Sequence, residues 1–160
     1  MIAPDEFRRV LGHFATGVTV VTTCDADARP TGLTVSAFAS LSLDPPLVLV
    51  CVDHKSQTYP ALRETGRFAV NVLTASQEAV SRRFASTRLD KFDAVAYRLS
   101  PLGVPLIESA LAHLECVTVS THVAGDHTIF VGRVERMWAG DGAPLLYYRG
   151  QYGRIERGPA

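Results

Sequence analysis

Two long runs of β-forming residues, Leu111–Val123 and His127–Trp138, are separated only by Ala124-Gly125-Asp126. The Gly-Asp dipeptide makes that junction a tight turn. A strand pair of this length commits the chain to an antiparallel sheet, and the remaining sequence supplies its partners. Gly17–Cys24 (GVTVVTTC) is β-branched throughout and reads as a strand. After the polar turn DADARP, TGLTVSAF resumes extended structure, so the two form a hairpin. Pro45–Asp53 (PPLVLVCVD) is a continuous apolar run between turn residues, which predicts a strand buried on both faces. Arg67–Leu73 and Pro144–Gly150 complete the set.

Helices are few and short. Pro4-Asp5-Glu6 opens an amphipathic helix carrying Phe7, Val10, Leu11 and Phe14, with Gly12 or Gly17 as its stop. Ser56–Thr65 predicts a second, with Ser56 as N-cap and Gly66 at its end. Thr74–Ala85 predicts a third, capped near Thr74 or Ser76, and residues 86–105 read as loop. Six or seven strands with two or three inserted helices indicate a mainly β domain, one antiparallel barrel with short peripheral helices, spanning residues 1–160. The order is not the regular strand–helix–strand of a doubly wound sheet. Neither G-x-G-x-x-G nor a Walker A loop occurs, so those nucleotide-binding frameworks are not expected.

The chain's 160 residues suit a single domain with a sizeable core. Its 16 basic and 16 acidic residues cancel, which argues against a nucleic-acid or acidic-membrane partner. The longest apolar run, Leu47–Val52, is far below a membrane span. MIAPDEFRRV is polar where a secretion signal would be apolar. Three cysteines without a C-x-x-C, one of them (Cys51) inside an apolar run as a small core residue, fit a reducing cytoplasmic setting.

The residues that could act are unusual in kind. Thr34–Thr58 is crowded with serine and threonine hydroxyls among small residues, yet it holds no nucleophile–base pair and no metal-ligand cluster. No G-x-S-x-G or reactive-cysteine signature occurs. His113 and Cys116, three apart on a strand, face opposite sides. His122 and His127 flank a turn without an evident third ligand. What remains is ligand binding. Ser36, Ala37, Ala39, Ser40 and Ser42 leave room for a flat ring against the main chain. Asp53-His54-Lys55-Ser56-x-Thr58 offers a cation and hydroxyls for an anion at a helix start. A bland reading, in which these hydroxyls are turn and cap residues, stands beside this one. His127 at the mouth of the barrel and Arg149 with Tyr152 near the C-terminus are further ligand-facing candidates, or ordinary strand-end residues.

Taken in order, FRRVLGHFATGVTVVTT, PTGLTVSAFASLSLDPPLVLVCV, RFAVNVL, GDHTIFVGRV and LLYYRGQY resemble the short-chain flavin reductase family, the reductase components of two-component flavin-dependent monooxygenases, over about Glu6–Tyr152. The resemblance implies an antiparallel split β-barrel of the FMN-binding type. It implies an enzyme that uses NADH, or NADPH, to reduce FMN or FAD and passes the reduced flavin to a partner oxygenase, and a homodimer with flavin near the subunit interface. It places the isoalloxazine and ribityl groups on Thr34, Val35, Ser36, Ala37, Ser40 and Leu41. Asp53, Lys55, Ser56 and Thr58 then lie near the ribityl and phosphate, and Phe84 and Ala85 form a further flavin contact. His127, Arg149, Gly150, Gln151 and Tyr152 match positions associated with the nicotinamide nucleotide.

The chemistry explains the hydroxyls. Hydride transfer between two cofactors needs no protein nucleophile; the protein supplies binding and orientation. His127 is accordingly expected to position the nicotinamide or the pyrophosphate rather than to donate a proton. Two alternatives come from other classes: a split-barrel carrier or sensor that holds flavin with little turnover, and an enzyme whose bound flavin acts directly on an organic substrate.

Overall fold

The computed structural model describes residues 1–156. In chain order the elements are α1 (Pro4–Leu11), β1 (Thr16–Gly17), β2 (Thr19–Cys24), β3 (Pro30–Val35), β4 (Phe38–Leu43), β5 (Pro46–Asp53), α2 (Tyr59–Thr65), β6 (Arg67–Val72), α3 (Glu78–Ala85), β7 (Tyr97–Leu99), β8 (Pro105–Ile107), β9 (Ala112–Ala124), β10 (His127–Ala139), β11 (Leu146–Tyr148) and β12 (Gln151–Gly153). Seven strands form one antiparallel sheet in the order β3-β2-β6-β9-β10-β5-β4. The sheet curls around a core of valines from β2, β3, β5 and β6 with Leu62, Phe68, Cys116 and Phe130. Its two edge strands, β3 and β4, are consecutive in the chain. Only Ser36 and Ala37 lie between them, so the chain steps across the gap where the barrel is not closed by a strand ladder. This is the antiparallel split-barrel architecture expected from the sequence.

The β9–β10 hairpin is the spine. Its register runs from His127↔Ala124 to Ala139↔Ala112, with irregularities at Val131/Gly132 and Val134/Arg136. Gly132 sits at the first, where a Cβ would lie 2.5 Å from Phe68 Cζ and 2.9 Å from Cys116 Cβ. The core at this point therefore has no room for a side chain. A second apolar cluster, Val18, Val20, Leu73, Phe84, Ile107 and Leu145, fills the space beneath α3.

Several elements depart from the sequence reading, each for a local reason. β5 alternates: Val48, Val50 and Val52 are buried while Leu47, Leu49 and Cys51 are half-exposed. It is buried on one face, and Cys51 stands on the other rather than in the core. α2 begins at Tyr59 because Ser56 closes a turn of its own, accepting a hydrogen bond on Oγ from the Thr58 amide at 3.2 Å. α3 begins at Glu78 because Gln77 folds back, its Oε1 accepting from the Thr74 amide at 3.0 Å. The stretch read as loop, residues 86–105, contains β7 and the first residue of its partner β8, and β8 is held down by Asn71. That buried amide donates to Val20 O (2.9 Å) and Thr22 Oγ1 (3.0 Å) and accepts from the Ile107 amide (2.8 Å). Strands of three residues flanked by prolines carry no periodic signal.

The strand expected over Gly17–Cys24 is interrupted at Val18, and Thr16–Gly17 pairs instead with β11 in a small sheet ordered β1-β11-β12. The strand expected over Pro144–Gly150 is that sheet's β11 followed by a two-residue turn into β12. Both turn residues have positive φ, Arg149 at 49° and Gly150 at 79°. This is the backbone handedness that tight hairpins require. Among the described residues no helix is long and apolar enough to cross a membrane.

Candidate active site

Several of the residues singled out by sequence lie along the split of the barrel. Ser36 and Ala37 form the crossing itself. The Phe38 amide donates to Ser36 O (2.9 Å), and the Cys51 amide donates to Ala37 O (3.0 Å). Ala37 is thereby fixed two residues from Asp53. Both crossing side chains are exposed, on an open groove of about 1010 Å3 lined by Ser36, Ala37, Ala39, Leu49 and Cys51 on one side and by Gly12, Phe14, Thr16, Tyr147 and Gly150 on the other. Small residues make one wall; the N-terminal segment and the β11–β12 turn make the other.

The neighbouring positions have distinct duties. Thr34 Oγ1 donates to the Ser81 carbonyl (2.7 Å), which ties β3 to α3. Val35 is buried, and its carbonyl accepts from Thr19 Oγ1 at 2.6 Å. Register pairs Ala39 with Leu49 and Ser40 with Val48. Cross-strand partners share a face, so Ala39 faces the groove and Ser40 lies on the opposite face, exposed, next to the exposed Leu41.

The loop after β5 adjoins this crossing. Asp53 Oδ1 accepts from the Lys55 amide (2.8 Å), and the Asp53 carbonyl accepts from the Ser56 amide (3.0 Å). The Lys55 side chain is exposed and enters no hydrogen bond or ion pair among the described residues. Thr58 is buried, with its hydroxyl 3.0 Å from that of Thr31 on β3. Gln57 Nε2 donates to Thr87 O (3.1 Å) just beyond α3. The loop thus touches both banks of the split. α2 has seven residues and starts after the loop, so any anion here is met by Lys55 and Ser56 rather than by a helix end.

Phe84 is fully buried, edge-on to Phe92 at 4.9 Å between centroids, while Ala85 is exposed. His127 is the register partner of Asp53, which places the Gly-Asp-His turn beside the loop. Its Nδ1 lies 2.7 Å from Asp126 Oδ1, and this hydrogen bond holds the Asp126 carboxyl below the usual range. Tyr152 is half-buried. Its hydroxyl is 2.8 Å from Ser81 Oγ, and the Arg82 guanidinium lies 4.8 Å from its ring centroid. Arg149 and Gln151 are exposed around Gly150, and the Arg149 amide donates to Gly12 O at 2.9 Å.

The structure therefore brings Ser36, Ala37 and Gly150 onto one groove and Asp53, Lys55, Ser56, Thr58 and His127 onto an adjoining shelf. It joins Thr34, Phe84, Ala85 and Tyr152 through α3. Sequence reading missed Gly12, Phe14, Thr16, Leu49 and Cys51 as groove residues. The alternation of Leu47, Leu49 and Cys51 was hidden because both faces of β5 carry apolar side chains. His122 pairs with Ile129 rather than meeting His127.

A second cleft of about 520 Å3 lies behind the shelf, between β3 and residues 88–92. Within it Arg29 pairs with Asp25 and Asp27, and Arg88 with Asp90. The buried ammonium of Lys91 donates to Gly32 O (3.2 Å) and Phe84 O (3.1 Å), and burial pushes its pKa down. That arrangement staples the 86–93 segment to the barrel.

Comparison with known proteins agrees with the geometry. The family model described as a flavin reductase like domain matches residues 11–156. The chain is similar to the reductase subunit HsaB of a flavin-dependent monooxygenase from Mycobacterium tuberculosis, 48% identical over 97% of this chain and 84% of the relative. It is similar to an NADH-dependent flavin reductase from a Rhodococcus species, 45% identical over 97% and 88%. Among solved structures, the Streptomyces globisporus NADH:FAD oxidoreductase SgcE6 in complex with NAD and FAD fragments superposes with a TM-score of 0.91 at 40% identity, covering 98% of this chain and 96% of that one.

Proposed function

This chain belongs to the flavin reductase like family, and on that premise we propose that it oxidises NADH, reduces FMN or FAD, and delivers the reduced flavin to a partner monooxygenase. One observation carries the reading. The small-residue crossing Ser36–Ala37, the polar loop Asp53–Thr58 and the His127 turn come from three separate parts of the sequence and adjoin at the split of the barrel. Two nucleotides could meet there.

The residues fit such ligands. The wall of Ser36, Ala37 and Ala39 leaves space for a flat ring system. Thr16 on the facing wall has a buried hydroxyl with no partner among the described residues, a polar group to which a ring heteroatom could bond. Bound flavin supplies the hydride acceptor and NADH the donor. The chain's own part is to orient them. Ser36, Ala37 and the rigid crossing hold the ring, with Thr34, Val35, Ser40 and Leu41 framing the segment. Asp53, Lys55, Ser56 and Thr58 hold the ribityl and phosphate groups, with Phe84 and Ala85 shaping the far end. His127, oriented by Asp126, and Arg149, Gly150, Gln151 and Tyr152 receive the nicotinamide nucleotide. Ordering two ligands at one site is where the rate comes from.

We also infer a homodimer. No residue of α1 is buried, and Phe7, Val10, Leu11 and Phe14 are 55%, 53%, 55% and 80% exposed. This apolar face beside the groove is what a second copy would cover. The single-domain extent over residues 1–160 and a reducing, cytoplasmic setting complete the reading; three free cysteines support the latter.

The test is His127→Ala. It should raise the KM for NADH several-fold or more while flavin KM changes little. An unchanged NADH KM would remove the Gly-Asp-His turn from the nicotinamide site.

A further inference from the structure

Thr128 is a buried threonine directly after His127, and nothing in the proposed chemistry uses it. Its Oγ1 lies 2.9 Å from His54 Nε2 and 3.0 Å from the Tyr59 hydroxyl. A hydroxyl has one proton, so it serves two such neighbours as a relay, donating to one and accepting from the other. His54 also packs on the Tyr59 ring at 5.0 Å between centroids, and Tyr59 sits edge-on to the core residue Phe130 at 6.0 Å.

The backbone reinforces these contacts. The His54 amide donates to Asp126 O at 3.0 Å, and Asp53 is the register partner of His127. Asp53 in turn sets the turn that carries Lys55 and Ser56, through its side-chain and main-chain oxygens. The loop and the Gly-Asp-His turn lie far apart in sequence, yet neither can shift without breaking a bond to the other. The three polar side chains sit between the loop, the first turn of α2 and the start of β10. They leave the exposed faces of Lys55 and His127 free.

We propose that Thr128, with His54 and Tyr59, is a positioning cluster that makes the Asp53–Thr58 loop and the Asp126–His127 turn one rigid unit, so that flavin and nicotinamide nucleotide affinities are set together. The inference rests on the functional reading above, in which the loop takes the flavin phosphate end and the turn takes the nicotinamide nucleotide. If the pair moves as a unit, loosening the joint weakens both ligands, although Thr128 itself touches neither.

The experiment uses the full-length protein with FMN and NADH. Thr128→Val removes the hydroxyl at nearly constant shape, and Thr128→Ser keeps it. Flavin affinity is read from quenching of FMN fluorescence, NADH KM and kcat from absorbance, and folding from the thermal midpoint. Losing one buried bond corresponds to about a fivefold to thirtyfold effect. The expected result is a parallel rise of that order in flavin Kd and NADH KM for Thr128→Val, larger than any change in kcat, with both constants restored in Thr128→Ser. Should Thr128→Val fail to fold, Tyr59→Phe breaks the same cluster while keeping the ring on Phe130, and the same parallel rise is expected. A lowered midpoint with both constants unchanged, or a change confined to one ligand, overturns the proposal. Failure of the functional reading looks different, because the unmodified protein would then neither quench FMN nor oxidise NADH.

Discussion

Replacing Tyr152 with phenylalanine removes one oxygen and tests how the C-terminal sheet is fastened to the barrel. The Tyr152 hydroxyl is 2.8 Å from Ser81 Oγ, and Ser81 is fully buried on the inner face of α3. A neutral hydrogen bond is worth about 0.5–1.5 kcal/mol net, and a buried group left without a partner costs about 1–3 kcal/mol. Ser81 has one recourse, turning its hydroxyl toward the Gln77 carbonyl one turn earlier, which already accepts from the Ser81 amide at 3.0 Å. That recourse puts the expected loss near the lower end, about 1–2 kcal/mol. The ring remains, so its contacts with Arg82 (4.8 Å) and Tyr147 (5.3 Å) are kept.

For a chain of this size such a loss lowers the thermal midpoint by ~2–8 °C. The assay is urea unfolding at one fixed protein concentration, because a self-associating chain gains stability with concentration. Ser81→Ala and the double variant complete a cycle. The double variant leaves no orphaned hydroxyl, so it should be less destabilised than the two single losses summed, with a coupling of about 1 kcal/mol. Single losses that add to within about 0.3 kcal/mol would show that the two hydroxyls do not support each other.

Other outcomes follow from the same structure. Gly132→Ala should cost at least about 1–3 kcal/mol in urea unfolding, because the new methyl meets Phe68 at 2.5 Å inside a packed barrel; wild-type stability would mean that the bulge is looser than its contacts imply. Ala37→Phe fills the groove beside the crossing and should raise flavin KM at least about tenfold, ~1.4 kcal/mol, without lowering the thermal midpoint, since Ala37 is exposed. An unaltered flavin KM would exclude that wall from the ring site. Cys116, whose thiol is pushed up to about 12 by burial in the core and next by the Glu115 charge, should resist alkylation at pH 8 until the protein unfolds; rapid modification of Cys116 in folded protein would contradict its placement.

The architecture was legible in the sequence wherever a strand was long or strongly β-branched. The β9–β10 hairpin and β2 are announced by β-branched residues, and β3 and β6 by shorter apolar and β-branched stretches between turn residues. The short pieces were not. β7, β8, β11 and β12 have three residues each, and β8 is held to the sheet by the side chains of Asn71, Thr22 and His113, which bond its main chain at Ile107 and Pro105. Helix starts were misread where a hydroxyl or amide side chain spent itself on a turn before the helix, as Ser56 and Gln77 do.

The candidate site was legible as residue types and not as a surface. Serines and alanines around residues 34–42 pointed to a small-residue wall, and Ser36 and Ala37 are on it. Alternation on β4 could not be phased from the sequence, because Ser40/Ser42 marks a register irregularity against β5. Ala39 rather than Ser40 faces the groove because it pairs with Leu49. The facing wall comes from residues 12–17 and from the β11–β12 turn, and only the fold brings those ends of the chain together.

The proposed function requires NADH to give its electrons to flavin on this protein. The direct measurement is the rate of NADH oxidation by the purified chain without flavin, with FMN and with FAD, together with its visible absorbance as isolated. Little oxidation is expected without flavin, and rapid, saturable oxidation with one or both. A protein that is isolated yellow yet barely oxidises NADH when flavin is added would contradict that function, and would identify a flavin-holding carrier instead.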